Sequence, residues 1–215
     1  HPLARGFQEY FGYTSGHWGE YFDAPLEENG RLIHTEGYIV DVCTERALAF
    51  IDRHKDRPFF CYVPFTTPHS PWAVPSKYWD KFKDKSIEQR GAENGGPQLD
   101  VTRCALAMLE NQDWNVGRIL DRLRAHGIEH NTIVVYFSDN GPNSPRWNGG
   151  MKGIKGSTDE GGIRSICHVR FPSKIPPGRT IPGISAAIDL LPTITALAGI
   201  QCAGDLPLDG TDISP

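Results

Sequence analysis

No stretch of this sequence stays apolar over the roughly 18 residues that a membrane span needs. None reads as a basic-then-apolar leader, and the chain opens on His1-Pro2-Leu3. A basic surplus is also missing. Lysine and arginine number 22 against 26 aspartates and glutamates, a net charge of -4, so the electrostatic footprint of a nucleic-acid binder is absent. Cysteine is sparse and scattered: Cys43, Cys61, Cys104, Cys167 and Cys202 stand far apart, with no C-x-x-C among them. That odd set argues against a complete disulfide framework or a zinc knuckle, and most of the five are expected to be buried small residues. Internal repeats and low-complexity tracts are lacking too. What is present is 39% hydrophobic and 22% charged, a globular composition over 215 residues, enough for one domain or part of a larger one.

From Tyr38 the pattern is helical. Ile39, Val42, Cys43, Ala47, Phe50 and Ile51 recur at spacings of three and four, up to about His54. Residues 99–125 carry the longest such stripe, with Ala105, Met108, Leu109, Val116, Ile119, Leu120 and Leu123, and Gly127 closes it. Two compact apolar runs, 59–65 and 132–137, read as buried strands, the second suited to the centre of a parallel sheet covered on both faces. Residues 166–171 are a further strand, and 75–82 and 188–197 are helices. Asn29-Gly30 predicts a hairpin turn. Residues 83–97 read as an exposed loop. Helix alternating with strand predicts an α/β sheet with covering helices.

In open α/β sheets a site lies beyond the carboxyl ends of the strands. The run 59–65 stops at Thr66-Thr67-Pro68-His69-Ser70-Pro71, which holds His69 between two prolines. The run 132–137 leads into Ser138-Asp139-Asn140-Gly141-Pro142. The Asp139 carboxylate and the Asn140 carbonyl are hard oxygen ligands of the kind Ca²⁺ or Mg²⁺ takes. Two ligands do not make a site, and on its own Asp-Asn-Gly reads first as a turn. Lys155 stands in Gly153-Ile154-Lys155-Gly156-Ser157, where an ammonium and backbone N–H groups can meet an anion. The stretch is not a nucleotide P-loop, because Gly156 follows Lys155 where Ser or Thr is required. Alone, it reads as a solvated loop, and His69 as a structural histidine. Together, a metal pair, an anion-binding lysine and a proton-donating histidine are the parts that hydrolyse a charged ester. Asp139, Asn140, His69 and Lys155 are expected to converge on one edge of the sheet.

The segments Ser138-Asp139-Asn140-Gly141-Pro142 and 155–164, Lys-Gly-Ser-Thr-Asp-Glu-Gly-Gly-Ile-Arg, resemble the two hallmark segments of the type I, formylglycine-dependent sulfatases. Pro58-Phe59-Phe60 through Pro71 resembles that family's histidine loop. Glu110-Asn111-Gln112-Asp113 resembles its long helix, and Asp189-Leu190-Leu191-Pro192-Thr193 the end of its core. The resemblance implies an alkaline-phosphatase-like α/β sheet flanked by helices. It also implies an incomplete domain, with upstream strands and a C-terminal subdomain outside this chain. In that frame residues 1–35 are irregular loop and hairpin, 36–200 the α/β core, and 201–215 the start of a link. The implied activity is sulfuric ester hydrolysis on a small-molecule or carbohydrate sulfate ester. His69 and Lys155 take catalytic and substrate-binding roles, and Asp139 and Asn140 bind a metal, normally Ca²⁺. The family's hydrated formylglycine attacks sulfur, the alcohol leaves with a proton, and sulfate is eliminated. The implied compartment is secreted, periplasmic or lysosomal.

Departures from the pattern set limits. Formylglycine is made from Cys or Ser in a C/S-x-P/A-x-R segment, and no Cys or Ser here sits in one. The paired aspartates of the family's metal site are absent, and Arg164-Ser165-Ile166 departs from Arg-x-Pro. The 215 residues alone are therefore expected to be inactive and poorly stable. Two other readings stay open: a phosphoryl or phosphonate ester hydrolase of the same superfamily, and a non-catalytic binding remnant. Trp18, His17, Trp72 and Trp147 fall in loops, where aromatics stack on sugars or simply pack.

Overall fold

Asn29 and Gly30 take positive φ, 50° and 86°, in the computed structural model. That is what a two-residue hairpin turn demands. The turn joins β2 (Pro25–Glu28) to β3 (Arg31–His34), with Glu28 opposite Arg31, and β1 (Phe11–Gly12) pairs antiparallel with the other edge of β2. The structure describes residues 1–14, 16, 19–88, 99–144, 146, 148–201, 204 and 207–214. They form two compact units, His1–His126 with Asn140–Arg164, and Gly127–Asp139 with Ser165–Pro215.

In the first unit, α1 (Ile39–His54) buries Ile39, Val40, Thr44, Ala47, Leu48 and Ile51, a stripe at helical spacing. It packs on α3 (Leu99–Ala125), and the short α2 (Ser76–Trp79) packs on α3 as well. Met108, fully buried, joins Tyr21, Leu26, Tyr38, Ile39 and Val40 in the core. Each such apolar side chain contributes about 1.5–3 kcal/mol by leaving water. The inner face of α3 departs from the apolar stripe expected of it. Leu109 is 39% exposed, while Asn111 and Asn115 are 0% exposed. The helical period 108, 111, 112, 115 continues inward through amides, because Asp41 of α1 faces them with a carboxylate.

Residues 59–65 were expected to form a buried strand, and the structure corrects this. Their burial alternates with the strand period of two, and Phe60 and Tyr62 are 65% and 60% exposed. Yet they pair with no strand among the described residues. The backbone is extended by its β-branched and aromatic content, but no neighbour supplies the ladder. The expected helix 75–82 is shorter, Ser76–Trp79 followed by turns, and residues 89–97 of the expected loop lie outside the described residues.

Glu9 ties the amino-terminal segment to the end of α1, accepting from His54 Nε2 at 3.0 Å and from Arg53. These bonds, His54 first, hold the Glu9 carboxyl below its ordinary value. Its contribution to stability is fully present above the unfolded value of about 4.3 and is lost as pH falls through the lower folded value. Glu9→Gln is therefore expected to flatten the acid side of the stability curve below about pH 4.3 and leave its slope at neutral pH unchanged. Amide exchange in residues 1–12 as a function of pH checks this.

In the second unit, β4 (Val134–Phe137) pairs antiparallel with β5 (Cys167–Arg170), Val134 opposite Arg170. The sequence suited β4 to a parallel sheet covered on both faces. The observed ladder is antiparallel, Val134 to Tyr136 are half-buried, and Phe137 is 40% exposed. One strand partner among the described residues leaves the apolar run uncovered. The expected helix 188–197 is a 3₁₀ turn (Ala187–Asp189) running into α5 (Leu190–Ala198). Gly199 ends α5 at φ 69°, and Lys174 Nζ donates to the Leu197 carbonyl at 2.7 Å. The Asp189 carboxylate accepts from the Ala186 and Thr211 backbone N–H groups, each at 2.8 Å.

Among the described residues, no helix is long and apolar enough to cross a membrane. Cys43, Cys61, Cys104 and Cys167 are free thiols, but only Cys104 is fully buried and Cys167 is exposed. Burial pushes the Cys43 thiol up to about 12 and the Cys61 thiol up to about 11, so neither is a nucleophile at neutral pH.

Candidate functional site

His69 sits in the turn after the extended 59–65 run. Its backbone N–H donates to the Thr66 carbonyl at 3.2 Å. The ring Nδ1 lies 3.0 Å from the Ser70 carbonyl oxygen and 3.2 Å from the Ser70 hydroxyl. A carbonyl oxygen only accepts, so Nδ1 carries the hydrogen in that bond. The loop is held from behind. Gln112 Nε2 on α3 donates to the Thr67 carbonyl at 3.2 Å, and the Tyr21 hydroxyl reaches the carbonyls of Thr66, His69 and Ser70. The sequence alone assigns neither Gln112 nor Tyr21 a role at the site. The one signal available for Gln112 was its spacing, four residues from both Met108 and Val116 of the apolar stripe.

Asn140 follows Asp139, the last residue of the segment carrying β4, and neither side chain makes a hydrogen bond or ion pair among the described residues. In the first unit, the Gly-rich segment folds back over the turn that Asn140 opens. Gly141 N–H donates to the Gly162 carbonyl at 3.0 Å, and Lys155 N–H donates to the Pro142 carbonyl at 2.8 Å. Asn148 steadies the approach, its amide donating to the carbonyls of Met151 and Gly153. Lys152 pairs with Asp159 at 3.2 Å, whereas the exposed Lys155 has no carboxylate partner among the described residues. A cation left without a counter-ion, flanked by backbone amides, suits a bound anion. α4 (Glu160–Ile163) continues from this loop.

The fold-back depends on glycine. A Cβ at Gly141 would overlap the Gly161 carbonyl oxygen and lie 2.9 Å from its carbon, and a Cβ at Gly161 would lie 2.6 Å from the Lys152 carbonyl oxygen. Both obstacles are backbone, so neither can swing aside. Gly141→Ala is expected to cost about 2 kcal/mol, the scale of overpacking without room to relax. A lowered denaturation midpoint with an unchanged m-value checks this.

The His69 loop meets the same region through Trp72, on whose ring the Arg146 guanidinium stacks at 4.7 Å. Burial pushes the Arg146 guanidinium down from its ordinary value, and among the described residues its buried Nε has no hydrogen-bond partner. Trp72 also lines a cavity of about 370 Å³ together with Phe22, Val74, Trp79 and Cys104, with Asp100 among its polar groups. Trp18, His17 and Trp147, the other loop aromatics of the sequence, lie outside the described residues.

A divalent metal is tested by the donors present. Asp139 and Asn140 offer uncommitted oxygens of the right hardness, so they fit such an ion in kind. Among the described residues no three His, Cys, Asp or Glu side chains gather into a cage, so they do not complete its shell. Formylglycine does not fit these 215 residues, because no precursor segment is present.

The chain matches the Sulfatase family model over residues 2–200. It is 32% identical over its whole length to the uncharacterized sulfatase YdeN of Escherichia coli, of which it covers 37%. It is 32% identical over 80% of its length to mouse steryl-sulfatase, covering 26% of that protein. Among solved structures, Ps i-CgsB in complex with k-i-k-neocarrahexaose superposes with a TM-score of 0.87 at 29% identity, over 100% of this chain and 51% of the other. BT4656, in complex with D-glucosamine-2-N,6-O-disulfate, shares the fold with a TM-score of 0.83 at 21% identity, over 98% of this chain and 58% of the other. The chain thus spans between a quarter and two fifths of these curated relatives and about half of the solved structures. With these matches, and with an α/β architecture shared over its full length, the chain belongs to the sulfatase family.

Proposed function

We infer that the whole protein hydrolyses the sulfate ester of a carbohydrate. The observation that carries the reading is the sulfatase match over residues 2–200, which contains His69, Asp139, Asn140 and Lys155. The carbohydrate preference is supported by the aromatic cavity that begins at Trp72, three residues after His69. Flat sugar faces stack on indole rings, and a cavity of about 370 Å³ accommodates a sugar ring. The neighbour Ps i-CgsB, in complex with k-i-k-neocarrahexaose, supports the same class.

In this reading the Lys155 ammonium and adjoining backbone N–H groups hold the sulfate oxygens. Asp139 and Asn140 are two ligands of a Ca²⁺ or Mg²⁺ ion, which when bound offsets charge on the sulfuryl oxygens. His69 presents Nε2 to the ester oxygen and passes it a proton as the sugar hydroxyl leaves. Attack on sulfur is not assigned to any of these residues, since none is a formylglycine precursor.

The test is sulfate release, followed by ion chromatography, from sulfated oligosaccharides, an aryl sulfate, and phosphate and phosphonate monoesters. The expected result is the highest kcat/KM on a sulfated sugar, with loss of activity after chelation and recovery with Ca²⁺. A higher kcat/KM on the phosphorus esters would replace this reading with the phosphoryl hydrolase. Saturable binding of sulfated sugar without turnover would replace it with a binding protein.

A further inference from the structure

Resting on the assignment of His69 above, we propose that Tyr21 is a positioning residue for that histidine, acting through the Ser70 carbonyl that fixes the ring tautomer.

Tyr21 is 2% exposed and belongs to the core with Tyr38, Ile39 and Met108. Its ring packs edge-on against Tyr38, whose own hydroxyl donates to the Ala73 carbonyl of the same loop at 2.9 Å. The Tyr21 hydroxyl leaves this apolar setting to reach three carbonyls at once: Thr66 at 3.2 Å, His69 at 3.0 Å and Ser70 at 3.3 Å. One O–H bears one hydrogen, so the three oxygens share a single donor, with His69 the shortest contact. Carbonyls curled around a common hydrogen define the curvature of residues 66–70.

The Ser70 oxygen is the acceptor for His69 Nδ1 as well, at 3.0 Å. The tyrosine and the imidazole therefore meet on one atom. Holding that oxygen in place keeps the hydrogen on Nδ1 and fixes the orientation of the ring. Burial raises the Tyr21 phenol above its ordinary value, so it remains a donor throughout the working pH range. Without the hydroxyl, the Ser70 carbonyl is free to turn, Nδ1 loses its fixed acceptor, and the ring reorients. Reacting groups displaced by fractions of an ångström lose rate without losing affinity.

A mutant cycle in the whole protein tests this with a sulfated sugar: wild type, Tyr21→Phe, His69→Ala and the double variant. Tyr21→Phe is expected to lower kcat about tenfold with KM held within about twofold. In the His69→Ala background the same change is expected to do nothing further, because the effect passes through the ring. Equal losses in both backgrounds, or no loss in wild type, would overturn the proposal. Full activity of His69→Ala would instead remove the histidine's own role, a separate and recognisable outcome. Should Tyr21→Phe fail to fold, ¹⁵N ring shifts of His69 in the wild type decide the matter: hydrogen on Nδ1 is expected, and a neutral ring with its hydrogen on Nε2 overturns it.

Discussion

His69→Ala is expected to lower kcat/KM on a sulfated sugar by about 10²–10⁴-fold, and on a nitrophenyl sulfate by about tenfold or less. The difference between the substrates follows from the leaving group. A sugar alkoxide is strongly basic and leaves only as it is protonated. A nitrophenolate carries its charge unaided, so a general acid contributes little to its departure. Because Nδ1 is committed to the Ser70 carbonyl, Nε2 is the ring atom able to supply that proton. Loss of the imidazole should therefore grow with the pKa of the departing alcohol. Steady-state kinetics across a series of aryl and alkyl sulfates measures that slope. Equal losses on every substrate would show that His69 holds the sulfate and leaves protonation to another group.

Much of this scaffold was legible in the sequence because the local signals agreed with each other. Asn29-Gly30 made the hairpin it predicted, since both residues accept positive φ. The stop signal after the long periodic helix was read correctly at Gly127, and Leu99–Ala125 has the bounds expected of it. The strands were less legible. An apolar run such as 59–65 specifies an extended backbone, but the ladder depends on what lies alongside, which the run itself does not encode. For the same reason β4 was assigned to a parallel setting and pairs antiparallel with β5.

Site residues divided along similar lines. His69, Asp139, Asn140 and Lys155 stand out as candidates because each sits in a loop whose turn residues mark it. The residues that hold the loops do not. Tyr21 falls in the irregular stretch 1–35, and Asn111, Gln112 and Asn115 lie outside the apolar stripe expected of α3. Their burial answers to groups distant in sequence, Asp41 and the Thr67 carbonyl. Hydrophobic periodicity cannot find a helix face that turns inward through amides.

That inward polar face makes Asp41→Ala the substitution with the largest expected effect on stability, about 3 kcal/mol. Asp41 Oδ1 accepts from Asn111 Nδ2 at 2.8 Å and from Asn115 Nδ2 at 2.7 Å, joining α1 to α3. Both asparagines are 0% exposed. Asn115 keeps a second bond, from Nδ2 to the Asn111 carbonyl at 3.0 Å, and accepts from Arg118 at 3.0 Å. Asn111 has less in reserve, since its Oδ1 already lacks a partner among the described residues. Removing the carboxylate would leave its Nδ2 stranded too. A buried donor without an acceptor costs about 1–3 kcal/mol, and here two amides share the loss together with a small cavity. Asp41→Asn should cost less, about 1 kcal/mol, because its carbonyl still accepts both bonds and only the charge is lost. Denaturant midpoints of the two variants in the whole protein separate these terms. The effect should also reach the site. Gln112, next to Asn111, holds the Thr67 carbonyl in the His69 loop, so loosening α3 against α1 moves the support of that loop. Asp41→Ala should therefore lose activity at a lower temperature than it loses α-helical structure. Coincident loss of both would confine Asp41 to global stability.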